Sequence, residues 1–219
     1  GKDVLGSKEA LDLPSPPQAL AVIGWGVIGL EIGTFFAKLG TKVTVVEFMD
    51  ALLPVIEKDM TVPVARILAR LGVEVFLSSK ATGFAKKGGR LELTITTPEG
   101  EKKIECDKIL LAVGRAPRTK DLGLEAAGVE VDKQGHIVVD TEMLTSAPNI
   151  YAIGDCVGQP YLAHKASREA ILAAQSIAGK PLEARGAVPG AVFTDPDISW
   201  VGETEAEAKT RGAQVLVGK

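Results

Sequence analysis

Hydrophobic and polar positions along the first fifty residues change period twice. Gln18-Ala19-Leu20-Ala21-Val22-Ile23 is a short apolar run, the length of a strand buried on both faces of a parallel sheet. After Gly24-Trp25-Gly26, apolar side chains recur at Ile28, Ile32, Phe35, Phe36 and Leu39. That spacing predicts a helix with one apolar face, stopped at Gly40. Lys42 to Glu47 then returns to an extended, β-branched pattern, which reads as a second strand. Further on, Thr61 is placed to cap a helix with Pro63 in its first turn and a stop at Gly72. A strand over 73–77 follows, then a meander over 80–86, 91–97 and 102–106 with turns at Gly88-Gly89 and Pro98-Glu99-Gly100. The fully apolar 109–113 reads as a central parallel strand ending at Gly114.

This alternation predicts an α/β protein built from a lead-in and three further pieces. Residues 1–17 read as a lead-in linker stiffened by Pro14, Pro16 and Pro17. Residues 18–119 form a Rossmann-like dinucleotide-binding domain carrying the antiparallel meander. Residues 120–186 form a second unit, with strands over 137–140 and 149–153 and a helix over 165–178. Residues 187–219 begin a further α/β pattern and stop short.

The glycines of the first turn give the chemistry. Gly24 permits a tight exit from the strand, Gly26 leaves room for backbone to approach a pyrophosphate, and Gly29 lets the helix pack closely on the strand. Unpaired N–H groups at the helix start, with the positive end of its dipole, then face the phosphates. Such a motif alone is common, but here the strand, helix and second strand it requires are all present. Glu47 lies 18 positions beyond Gly29, near the ~20 expected of an acid that grips a ribose diol. A carboxylate there repels a 2′-phosphate, and no basic residue follows until Lys58. NAD is therefore expected over NADP.

Composition narrows the field. The 219 residues are 46% hydrophobic and 24% charged with net charge −3, which argues against a nucleic-acid partner. No apolar run approaches the ~20 residues of a membrane span and no signal peptide is visible, so a cytoplasmic location is expected. Cys106 and Cys156 lie 50 residues apart and form no redox or metal spacing, so both read as ordinary thiols. His136, beside Gly135, has no evident partner.

The ordered motifs GWGVIGLE, VVEFMD, ILLAVGRAPRT, PNIYAIGDC and YLAHKA together resemble the pyridine nucleotide–disulfide oxidoreductases over essentially the whole chain. The likeness is greatest to members that reoxidise dihydrolipoyl groups of 2-oxo acid dehydrogenase complexes. The resemblance implies NAD and FAD as cofactors, a homodimer and a lipoyl-bearing partner. It implies that Gly24, Trp25, Gly26, Val27, Ile28, Gly29, Leu30 and Glu31 line the NAD path, Glu31 beside the nicotinamide. Ala81 falls near the adenine and Gly114 at the cofactor. Asp155 would accept a hydrogen bond from the FAD ribityl chain, and the backbone of Tyr161, Leu162, Ala163 and His164 would face the flavin ring, His164 as a contact and not as a base.

By the same resemblance, residues 120–186 would be the second FAD-binding segment and 187–219 the truncated start of an α+β interface domain. The family's first FAD strand, its cysteine pair and its His–Glu base are missing from this stretch, so the chain reads as a portion of a longer protein with no catalytic residue or metal site of its own. Mercuric reductases, soluble transhydrogenases and a short NAD-binding module without redox chemistry are the rival readings. Trp25 stands where the family has a small residue; its indole is expected to swing to solvent or to cover the pyrophosphate.

Overall fold

The computed structural model describes residues 2–53, 56–182 and 186–218. It divides into two compact units, the first Gly1–Gly114 with Ala191–Ser199 and Glu203–Lys219, the second Arg115–Gly190 with Trp200–Gly202.

Unit 1 is built on a five-stranded parallel sheet of β1 (Val4–Leu5), β2 (Ala19–Ile23), β3 (Lys42–Val46), β4 (Glu74–Phe76) and β8 (Lys108–Leu111), in the order β1-β8-β2-β3-β4. Leaving β2, the chain first builds outward on one side through β3 and β4. It returns on the other side as β8, so the strand order reverses at β2. Ligands of such sheets bind outside the carboxyl ends of strands at this reversal. Alternation along β2 sorts the layers. Ala19 and Ala21 face one way, into a cluster with Leu91, Leu93, Ile95, Ile104 and Cys106. Those five belong to the antiparallel meander β5 (Lys80–Lys87), β6 (Arg90–Thr97) and β7 (Gly100–Cys106). Val22 faces the opposite way, against Gly29 and Gly33 of helix α2 (Val27–Lys38). Small side chains on one side of β2 and glycines on the helix thus let three layers close on one strand.

Several expectations are corrected. The lead-in is not a linker: Val4–Leu5 adds an edge strand through Val4↔Ile109, and α1 (Ser7–Leu11) follows it. A two-residue strand and a five-residue helix are too short to leave a periodic signal. Helix α3 runs over Lys58–Arg70 with Glu57 as N-cap, one turn earlier than Thr61; the Thr61 hydroxyl instead donates to the Lys58 carbonyl at 3.2 Å. β8 ends at Leu111, and Val113 is exposed.

Unit 2 holds the 3₁₀ turn Gly154–Val157 and helix α4 (Ala163–Ile177). Its expected strands at 137–140 and 149–153 form only single bridges, Val131↔Ile137, Val139↔Thr145 and Leu144↔Tyr151. Their apolar side chains serve two small clusters, one around Val129, Ile137, Ala147 and Ala152, the other around Met143, Leu172 and Ala173. A two-stranded sheet of β9 (Gly190–Val192) and β10 (Ile198–Trp200) and helix α5 (Glu205–Thr210) complete the elements.

Trp25 overturns both expectations for its indole. It is 1% exposed and lies under α2, where a Cβ on Gly33 would meet its six-membered ring at 2.8 Å. Burying so large an apolar surface outweighs keeping it in water, and only glycine at position 33 admits it. Gly33→Ala is therefore expected to destabilise unit 1 by roughly 1–3 kcal/mol through overpacking, with Trp25→Phe in the same chain restoring part of the loss. Urea unfolding followed by tryptophan fluorescence and circular dichroism measures both; an unchanged midpoint for Gly33→Ala contradicts this packing.

Candidate dinucleotide and flavin sites

In unit 1 the carboxyl ends of β2, β3 and β8 converge on the glycine turn. The Gly24 N–H donates to the Val46 carbonyl at 2.9 Å, and the Ala112 N–H donates to the Ile23 carbonyl at 2.8 Å. Gly24 sits at φ +93°, and a Cβ there would lie 2.5 Å from the Ala112 oxygen, so both backbone angle and space demand glycine. At Gly29 a side chain would collide with the Gly24 carbonyl oxygen. Gly26 is different: a Cβ would meet nothing within 4 Å. Its open face is the approach that a pyrophosphate requires. Gly26 is the N-cap of α2 and supplies no side-chain cap. The N–H groups of Val27, Ile28 and Gly29 have no acceptor within the helix by geometry, so they are available to an anion.

Glu47 fixes this turn to the second strand. Its Oε2 accepts the Trp25 N–H at 2.6 Å, and its Oε1 accepts the Met49 N–H at 2.7 Å. The residue is 9% exposed, and each carboxylate oxygen retains a further lone pair for a ribose hydroxyl. Its own main chain is held as well, the N–H by the Phe76 carbonyl at 2.8 Å and the carbonyl by the Ser79 N–H at 2.9 Å. Two residues past Ser79, Ala81 is half-buried against the core cluster beside an irregularity in β5. Gly114 follows β8 at φ +125° with open space around it. Leu30 is buried in the core, so its contribution is packing. Glu31, one turn into α2, accepts the Phe193 N–H through Oε1 at 2.9 Å.

In unit 2, Asp155 lies in the Gly154–Val157 turn, half-exposed, with the Arg115 guanidinium 3.7 Å away. Tyr161 and Leu162 lead into α4, whose first residues are Ala163 and His164. The His164 Nε2–H donates to the Pro189 carbonyl at 2.6 Å, which leaves it as a structural contact.

Reasoning from sequence missed what shapes this turn. Lys165 and Glu169 of α4 are both buried and 3.2 Å apart. Lys165 Nζ also donates to the Gly154 carbonyl at 3.2 Å and the Gly158 carbonyl at 2.9 Å, while Glu169 Oε2 accepts the Gly154 N–H at 2.8 Å. One ion pair therefore grips both ends of the turn that presents Asp155. The i, i+4 spacing was the available signal, but it usually marks a solvated pair. His136 likewise has partners, Asp132 and Tyr161, contrary to the expectation of none.

The two cysteines are free. Burial pushes the Cys106 thiol up to about 11, which makes it inert; Cys156 is half-buried and donates to the Ile153 carbonyl. Among the described residues there is no group of three or more metal-ligating side chains, and no helix is long and apolar enough to cross a membrane.

The family model described as pyridine nucleotide–disulphide oxidoreductase matches residues 1–170. The chain belongs to this family. It is 43% identical over 222 aligned residues to the dihydrolipoyl dehydrogenase of Thermus scotoductus, covering 100% of this chain and 48% of the relative. It is 41% identical to the mitochondrial dihydrolipoyl dehydrogenase of Homo sapiens, covering 99% and 43%. Among solved structures it is similar to the HOCl-induced flavoprotein disulfide reductase RclA from Escherichia coli (TM-score 0.86, 30% identity, 96% of this chain and 48% of that one). LpdA from Mycobacterium tuberculosis is comparable (TM-score 0.86, 30% identity, 94% and 45%). The chain spans just under half the length of these relatives. The parallel sheet with its reversal at β2 is the Rossmann-like α/β fold of this oxidoreductase family, whose members work with a pyridine nucleotide and FAD.

The Lys165–Glu169 pair yields a direct test. Lys165→Met removes the ammonium 3.2 Å from the buried Glu169 carboxylate and is expected to cost on the order of 3 kcal/mol or more. Lys165→Met/Glu169→Leu is expected to recover much of that loss. Urea midpoints measure both, and equal midpoints for Lys165→Met and the parent contradict the clamp.

Proposed function

We propose that this chain supplies the NAD-binding domain and the second FAD-binding segment of a dihydrolipoyl dehydrogenase. In that reaction the dithiol of a dihydrolipoyl group loses two electrons and two protons to become a disulfide; NAD gains both electrons with one proton, as hydride, and the other proton is released. The observation that carries the NAD half is the Glu47 carboxylate, held by two backbone N–H groups beside the open N-terminus of α2. The residues fit the nucleotide: Val27, Ile28 and Gly29 offer N–H groups to the pyrophosphate, the open face of Gly26 admits it, and Glu47 takes the ribose diol. Glu31 lies further along the same helix, where the resemblance puts the nicotinamide. A 2′-phosphate would meet the Glu47 carboxylate, and no basic residue follows it in the sequence until Lys58, which favours NAD over NADP.

For FAD, the fit rests on Asp155, an acceptor held outward by the Lys165–Glu169 clamp, and on the turn Tyr161–Leu162 leading into α4. FAD when bound would supply the two-electron relay; the chain's part is to orient it and to exclude water. Residues 120–186 as the second FAD segment, 187–219 as the start of an interface domain, a homodimer, a lipoyl-bearing partner and a cytoplasmic setting follow from the same reading. Identities of 41–43% to dihydrolipoyl dehydrogenases, against 30% to RclA, favour this member over a reductase of another disulfide.

The test is turnover by the protein of native length. Dihydrolipoamide should reduce NAD with a kcat/KM at least about tenfold above that for NADP, a difference of ~1.4 kcal/mol. A yellow protein that reduces another disulfide but leaves dihydrolipoamide untouched would sink the substrate assignment; a preference for NADP would sink the role of Glu47.

A further inference from the structure

One stripe of α2 grips a segment from far along the chain. Glu31 and Lys38 lie seven residues apart, about two helical turns, and so share a face. Glu31 Oε1 accepts the Phe193 N–H at 2.9 Å, and Lys38 Nζ lies 2.6 Å from Asp195 Oδ2. Ala191–Ser199 accordingly groups with unit 1, although 187–219 reads in sequence as the start of another domain. The segment is braced from within: Val192 and Thr194 are buried, the Thr194 N–H donates to the Val192 carbonyl at 3.0 Å, and its hydroxyl donates to the Pro196 carbonyl at 2.6 Å. Phe193 between them is 73% exposed, so its main chain and not its ring makes the contact.

The two contacts differ in weight. Lys38 and Asp195 are 44% and 69% exposed, and such pairs contribute little. A backbone N–H to a carboxylate is a charge-assisted bond with a set direction. An unrestrained glutamate on a helix surface samples many rotamers, whereas here one oxygen is committed and the charge stays in one place. Glu31 lies five residues past the N-cap Gly26, about 7.5 Å along the axis from the open end of α2. The nicotinamide ring of NAD carries a positive charge, and that of NADH carries none. A carboxylate fixed beside the ring therefore favours the oxidised nucleotide, and one free to swing into water does so less.

We propose that the Phe193 N–H is a positioning group that fixes the Glu31 carboxylate, so that the segment 192–194 sets how strongly the site prefers the cationic nicotinamide of NAD over the neutral ring of NADH. This rests on the reading above that Glu31 lies beside the nicotinamide. If the contact only ties the segment to α2, its loss weakens both nucleotides alike. The ratio of the two dissociation constants separates these cases, because a loosened fold leaves that ratio where it was.

Calorimetric titration of this chain with NAD and with NADH, free of flavin so that neither is turned over, tests the proposal. Phe193→Ala keeps the N–H and should leave the ratio within about twofold of the parent. Phe193→Pro removes the N–H and should shift the ratio roughly three- to tenfold toward NADH, as for one hydrogen bond to a charged group. Glu31→Gln still accepts the N–H but carries no charge, and should shift the ratio at least as far. Phe193→Pro added to Glu31→Gln should shift it no further, since both act through one carboxylate. Hydrogen exchange at the Phe193 amide is a measurement free of proline's own effect on the chain, and should be at least about threefold faster in Glu31→Ala than in the parent. A parent-like ratio in Phe193→Pro, a further shift in the double variant, or unchanged exchange in Glu31→Ala each overturn the proposal. A parent-like ratio in Glu31→Gln overturns the reading of Glu31 beneath it, and a parent that binds neither nucleotide overturns the NAD reading as a whole.

Discussion

The Glu47 carboxylate is the interaction on which unit 1 depends. A carboxylate with 9% exposure is costly to desolvate unless each oxygen is occupied. Here the two oxygens take the N–H groups of Trp25 and Met49, and so tie the exit of β2 to the exit of β3. With those strand ends fixed, the Gly24 turn closes against the chain leaving β8 at Ala112, and α2 starts at Val27 with open space beside its N-cap Gly26. Removing the acid would free two backbone donors in a crowded place and loosen the only segment where Trp25 and Gly33 fit together. Structure and proposed nucleotide chemistry thus draw on the same carboxylate, which can serve a ribose diol because it is already oriented by backbone.

Unit 2 follows the same logic with a different device. Among the described residues of unit 2 between 115 and 182, pairing is limited to single bridges, so no ladder of hydrogen bonds there holds the turn at Gly154–Val157. Two charged side chains on α4 do so instead, gripping main-chain atoms of Gly154 and Gly158. A buried ion pair is seldom a net gain in stability, but it is costly to break and so specifies one geometry. Asp155, carried on that turn, inherits its rigidity.

How much of this was legible in the sequence follows from which signals are local. The glycine turn, helix α2, the strand to Val46 and the meander all follow from periodicity and turn residues, because each element buries a face of its own. Glu47 could be placed by spacing alone. The start of α3 was missed because Glu57 is an N-cap without a side-chain bond, while Thr61 looked like a better one. Trp25 was misread because its fate depends on the absence of a side chain at Gly33, eight positions away and meaningful only once α2 lies on β2. The partners of His136 and of Lys165 were invisible for the same reason: Tyr161 and Gly154 come near only through the tertiary fold. Dihydrolipoyl dehydrogenase relatives support the family outright, whereas the bonds just named belong to this chain.

The central claim is that Glu47 and the start of α2 form one preorganised dinucleotide cradle, and amide NMR of this chain titrated with NADH tests it most directly. The account predicts that the largest shifts fall on the backbone amides of Trp25, Gly26, Val27, Ile28, Gly29 and Met49. Saturation with those amides unmoved, or shifts confined to Arg115–Gly190, would contradict it.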